Sequence, residues 1–204
     1  LVTVFGDLAQ TGNAAVSSSL LNAIAARVGL KPEATRVALH RLRKDDWIEG
    51  HRSGRRSSYT LTQQGRAQSA AASPVIYRRE PISGPTWVVL RDPAAGSDRS
   101  GDEVWVSSTV VLSTTAPTSP DVLAVALADG QPIPDWMSDR VCPASSRRAA
   151  NVFLTKLNGI QRDLPEASAL TPIEIATLRV LIVHEWRRIV LRVPDLPDQV
   201  FPKD

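Results

Sequence analysis

The 204-residue sequence holds one cysteine, Cys142, and three histidines, His40, His51 and His184. One thiol excludes a disulfide framework within the chain and a cysteine-rich metal site. It suits a reducing, cytoplasmic setting. The histidines are scattered, and no His/Cys/Asp/Glu cluster has metal-ligand spacing. Long apolar runs are missing as well. Stretches such as Val180–Val183 fall far short of the roughly 18 residues that a spanning helix needs, so no membrane partner is expected. No cationic leader with an apolar stretch opens the chain. Neither a nucleophile elbow, nor a P-loop, nor a dinucleotide fingerprint is found. Cys142-Pro143 carries no sign of an activated thiol. The expectation is a non-enzyme with no metal and no resident cofactor.

What is present is a sufficient apolar fraction and an uneven charge. Hydrophobic residues make up 43% of the chain, enough for packed cores. The net charge is +3 overall, yet the 36 residues from Lys31 to Arg66 hold nine basic and four acidic side chains, a local +5. A segment more basic than the whole molecule is a candidate footprint for a polyanion.

That segment reads as a helix-turn-helix followed by a hairpin. Ser17-Ser18-Ser19 offers N-caps, and Leu20, Leu21, Ile24, Ala25 and Val28 recur at helical spacing. Gly29 ends this helix and Pro32 opens the next, which runs to about Lys44. Trp47–His51 and Ser57–Leu61 read as short strands around a basic tip, Arg52–Arg56, which makes a wing. Gln63–Ala72 reads as a further helix ending near Ser73-Pro74. The expected architecture is α+β in three consecutive parts: a winged helix-turn-helix over 1–73, a small β-rich domain over 74–134, and a helical domain over 135–204. In the middle part Trp87–Leu90, Val104–Leu112 and Val122–Leu127 are the strand candidates. In the last part the helices run over Ser145–Gly159 and from the capping box Thr171-Pro172-Ile173-Glu174 to about Arg188. Trp87, Trp105 and Trp136 read as core.

A projection of the second helix puts Ala34, Val37, Ala38 and Leu42 on one side and Arg36, His40, Arg43 and Lys44 on the other. The apolar side is expected to seat on the preceding helix, which turns the basic side outward. A helix fits the major groove, where arginine grips guanine with two hydrogen bonds. Arg36 and Arg43 are therefore the base-reading candidates, with Thr35 near the helix start and His40 as a further donor. Arg52, Arg55 and Arg56 on the hairpin suit the DNA backbone or the adjacent minor groove, where contacts position more than they specify. Arg41, at the edge of the buried side, is expected to brace the helix or to touch a phosphate. A winged helix that contacts a protein and not DNA is the alternative.

Phe5-Gly6-Asp7, Ala34-Thr35-Arg36-Val37-Ala38 with Arg41-Leu42, Trp47-Ile48, and Gly54-Arg55-Arg56-Ser57-Ser58-Tyr59 with Leu61-Thr62 resemble the PaaX family of bacterial repressors. His184-Glu185-Trp186-Arg187-Arg188-Ile189-Val190-Leu191, followed by Asp195-Leu196-Pro197 and Pro202, looks like that family's C-terminal signature. The resemblance implies a ferredoxin-like middle domain and a homodimer that represses a catabolic operon, typically for phenylacetate. It also implies release by an aryl-CoA thioester, phenylacetyl-CoA. His184, Trp186, Arg187 and Arg188 are the candidate effector-binding residues, since arginine suits phosphate geometry. The other reading makes Trp186 core and pairs the arginines with acids such as Asp195. The middle departs from the family pattern. Only Asp92–Glu103, rich in Gly, Asp and Ser, separates the first strand from the second, whereas a parallel crossover needs a dozen or more residues, normally a helix. The middle domain is expected to be altered or reduced.

Overall fold

A computed structural model describes residues 1–12, 14–95, 103–164 and 169–202. The protein is a mixture of helices and two antiparallel sheets, in agreement with the α+β expectation. It divides into two compact units, 1–77 with 153–188, and 78–152 with 189–204. These units cut across the three consecutive parts read from the sequence: residues 153–188 group with 1–77, while 135–152 and 189–204 group with the middle part.

The first unit opens with α1 (Val2–Leu8), β1 (Val16–Ser17), α2 (Ser18–Arg27) and α3 (Pro32–Lys44). It continues through β2 (Ile48–Ser53), β3 (Arg56–Leu61) and α4 (Gln63–Ile76). The sheet order is β1-β3-β2, all antiparallel. Ser17 caps α2, its hydroxyl accepting from the Leu20 N–H at 3.1 Å. Gly29, at φ +74°, ends α2. There the Gly29 N–H reaches the Ala26 carbonyl and the Leu30 N–H reaches that of Ala25, a Schellman cap that only a left-handed residue completes. Asp46, at φ +53°, closes α3 in the same way, with Asp46 N–H on Arg43 O and Trp47 N–H on Leu42 O. Phe5, Leu21, Ile24, Leu39, Ile48 and Leu61 are buried in one cluster, which Val180 joins from α7 (Pro172–Val190).

Three elements of this unit differ from the expectation. Helix α1 and strand β1 were not foreseen, because both are short and their residues are fixed by burial in the cluster. Helix α4 passes through Pro74 to Ile76. Proline breaks a backbone hydrogen bond inside a helix, but here the last turn is held from outside. The Tyr77 hydroxyl donates to Asp7 at 2.6 Å, and the Ile76 carbonyl accepts from Trp186 Nε1 at 2.8 Å.

The second unit carries β4 (Trp87–Arg91), β5 (Val104–Trp105), β6 (Val110–Ser113) and β7 (Val122–Ala126), in the order β5-β6-β4-β7. The expected strand Val104–Leu112 is split into a hairpin. The Ser107 hydroxyl accepts from the Thr109 and Val110 N–H groups, which turns the chain. Strands β4 and β5 both run antiparallel to β6, so their connection is a crossover. Its residues 92–95 and 103 form only a single 3-10 turn, and the rest of that linker lies outside the described residues. Helix α5 (Asp135–Val141), unforeseen, packs Met137 and Val141 on Leu112, Leu196 and Val200. Trp136 on the same helix is exposed and not core as expected. Helix α6 (Ala144–Asp163) runs on past Gly159, the expected stop.

Candidate nucleic-acid interface

The rotation of α3 decides which side chains face solvent. Leu39 is buried in the core cluster and Leu42 packs against it. Thr35 shares that side at 2% exposure, and its hydroxyl has no hydrogen-bond partner. Val37, by contrast, is 52% exposed, and Ala34 is exposed too. Two expectations are corrected here. Thr35 faces the interior and cannot read a base, and Val37 is not a core residue. Two leucines bury more apolar area than an alanine and a valine, so Leu39 and Leu42 set the rotation.

The outward side of α3 is strongly cationic. Arg36, His40, Arg41, Arg43 and Lys44 are all exposed. Among the described residues, none of these five has a carboxylate within 4.0 Å. Arg41, expected at the edge of the buried side, belongs to this free face.

The hairpin adds to it. Strands β2 and β3 pair from Ile48↔Leu61 to Ser53↔Arg56, so the tip is only Gly54-Arg55. Gly54 sits at φ +60° while Arg55 does not adopt positive φ, the type II′ pattern that favours glycine first. The expected five-residue loop is therefore a tight turn, with Arg52 and Arg56 at the strand ends. Arg52, Arg55 and Arg56 are exposed, and Arg52 Nε donates to the Gly54 carbonyl at 3.2 Å. Between helix and hairpin lies an open hollow of about 680 Å³ lined by His40, Arg43, Lys44, Glu49, Gly50 and Thr62. Gly50 keeps it open: a Cβ there would lie 3.3 Å from the Tyr59 ring and 3.9 Å from Arg43 Nε.

The four candidate effector residues stand elsewhere in the same unit, and each is already engaged. His184 Nδ1 lies 3.0 Å from the Thr3 hydroxyl, and Arg187 donates to that same hydroxyl at 3.4 Å. Loss of solvent on this side lowers the His184 pKa below its ordinary value, with Glu185 opposing and Arg188 and Arg187 adding to the shift. Trp186 stacks on Phe153 at a ring-centroid distance of 6.3 Å. Arg188 pairs with Glu185 at 3.2 Å. Asp195, the acid expected to pair with these arginines, is instead the partner of Arg78 within the second unit. In the second unit Leu196 and Val200 are buried, and Gln199 bridges the Gly130 N–H and the Thr86 hydroxyl.

An ion pair that sequence reading missed joins α1 to α7. Asp7 on α1 accepts from Arg179 Nε at 2.6 Å and Nη2 at 2.8 Å, besides the Tyr77 hydroxyl. A pair separated by 172 residues leaves no local signal.

The fold and the site define an α+β protein that offers solvent a cationic helix beside an arginine-tipped hairpin, the five cationic side chains of the helix having no ion-pair partner among the described residues. The chain belongs to the PaaX-like family. Residues 1–65 match the model of the PaaX-like protein, and residues 146–204 match that of the PaaX-like protein C-terminal domain. A curated relative, the transcriptional repressor PaaX of Escherichia coli (strain K12), is 26% identical over 231 residues, covering 98% of this chain and 72% of the relative. Those 231 positions exceed the 204 residues here, so the relative carries residues this chain lacks within the aligned span. Among the described residues, no helix is long and apolar enough to cross a membrane, and no group of His, Cys, Asp and Glu is placed to hold a metal ion.

Proposed function

We propose that this protein is a DNA-binding transcriptional repressor that works as a homodimer. The observation that carries the reading is the free cationic side of α3 beside the Arg52–Arg56 hairpin. The element order α1-β1-α2-α3-β2-β3, with the antiparallel sheet β1-β3-β2, supports a winged helix with α3 as its recognition helix. The second sheet supports a ferredoxin-like domain whose helical crossovers are shortened. Family membership and the relative's role as a transcriptional repressor support the regulatory assignment.

Phosphate contacts make such binding salt-dependent, and base contacts make it specific. In a salt titration on DNA from upstream of the gene, Arg55→Ala is expected to weaken binding to all sequences and to reduce the logarithmic salt slope by about one. Arg36→Ala and Arg43→Ala are expected to lose about 1–3 kcal/mol of discrimination at single base pairs. Binding that is absent, or that ignores both salt and sequence, would favour a protein-contact module.

The finer part of the proposal is release by an acyl-CoA thioester such as phenylacetyl-CoA, and its support is the family. Its candidate anchors are His184, Trp186, Arg187 and Arg188, whose present partners a bound thioester would share or displace. A ligand that favours the DNA-free state must weaken DNA binding reciprocally. Calorimetry with phenylacetyl-CoA, with and without operator present, should show that coupling. Equal affinity in both titrations removes the inducer from the proposal.

A further inference from the structure

The most outward line of α3 is not purely cationic. Leu39 and Leu42 point to the core, so the opposite side of the helix is centred near His40, Lys44 and Val37. Arg36 and Arg41 flank that line, and Arg43 leans toward the hairpin beside Gly50. Val37 is 52% exposed on this line, with the exposed carboxylate of Glu33 one turn before it and Arg41 one turn after. A β-branched residue is a mediocre helix former, and about half of this one lies outside the fold.

Docking on DNA accounts for it. If α3 enters the major groove with this side first, Val37 faces base edges and not phosphates. It has no donor or acceptor, so the groove feature it can recognise is apolar. The major groove offers one such group, the C5-methyl of thymine. We infer that Val37 is a specificity-determining residue that packs on a thymine methyl, next to the base pair read by Arg36 or His40. This rests on the DNA-binding reading above and deepens it.

The test uses full-length protein and the site it protects in a footprint of the upstream DNA. Each thymine of that site is replaced singly by deoxyuridine, which removes only the methyl group. The wild type is expected to lose about four-fold in affinity at one position per half-site, the worth of burying one methyl. Val37→Ala should bind the parent site about four-fold more weakly and be indifferent to the same replacement. It should melt close to the wild type, because about half of the side chain is in solvent and alanine is the better helix former. Wild-type binding that is insensitive to every replacement overturns the inference, as does a sensitivity that persists in Val37→Ala. Absence of any protected site overturns the DNA-binding reading itself, and the inference with it.

Discussion

Gly65→Ala is expected to lower the melting temperature by roughly 10 °C and to abolish DNA binding at temperatures where the parent still binds. Gly65 lies in the first turn of α4, and an ideal Cβ on it would sit 2.1 Å from the Trp47 carbonyl oxygen. That oxygen belongs to backbone, so no side chain can swing away. It also accepts the Thr62 N–H at 3.1 Å. To admit one methyl group, α4 must move off the segment that joins α3 to β2. Overpacking of this kind costs about 3 kcal/mol, and each kcal/mol is worth about 2–4 °C in a chain of this size. Gly159 provides the contrast. It lies within α6, and a Cβ there meets nothing within 4 Å. Gly159→Ala should raise stability by about 0.5–1 kcal/mol through helix propensity. Paired thermal melts check both, and a Gly65→Ala protein that melts with the parent would refute the close approach.

Arg179→Met is expected to cost about 3 kcal/mol. The Asp7 side chain is 1% exposed, and Arg179 supplies two of the three donors found for its carboxylate. Removing one partner of a buried pair leaves a charge without compensation, which costs about 3–5 kcal/mol. Here the low end applies, because the arginine side chain is itself 56% exposed and solvent screens part of its field. The double change Asp7→Asn with Arg179→Met should recover much of the loss, since no charge is then buried. Denaturant titration of the two variants tests the coupling, and additive losses would contradict it. The third donor adds a pH signature. Burial, and then the hydrogen bond to Asp7, push the Tyr77 pKa from 10.0 up to about 12. The folded state therefore keeps this proton longer than the unfolded chain. The corresponding stability is fully present below pH 10.0 and is lost as pH rises toward about 12. Tyr77→Phe should remove that alkaline loss.

The helix-turn-helix and hairpin were legible because their signals are local. Ser17, Gly29 and Pro32 mark helix ends by backbone chemistry that needs no partner, and Gly54 marks the turn. The rotation of α3 was less legible. Its apolar residues cover more than half the circumference, and only the depth of the pocket that receives Leu39 and Leu42 chooses between neighbouring settings. Thr35 and Val37 exchange roles as a result, with a hydroxyl buried and a valine exposed. Helix α4 outlasts Pro74 for a similar reason: Asp7 and Trp186 hold its last turn from positions remote in sequence. The strand Val104–Leu112 looked continuous by composition, whereas Ser107 breaks it through a side-chain hydrogen bond that composition does not record.

The pairing of α1 with α7 also sets an order of events on the ribosome. Asp7 is made 172 residues before Arg179. Until α7 has been made, the earlier residues carry a carboxylate without the two donors of Arg179 and an apolar cluster without Val180. The cationic helix and its hairpin are therefore complete well before the support that α7 gives to their unit.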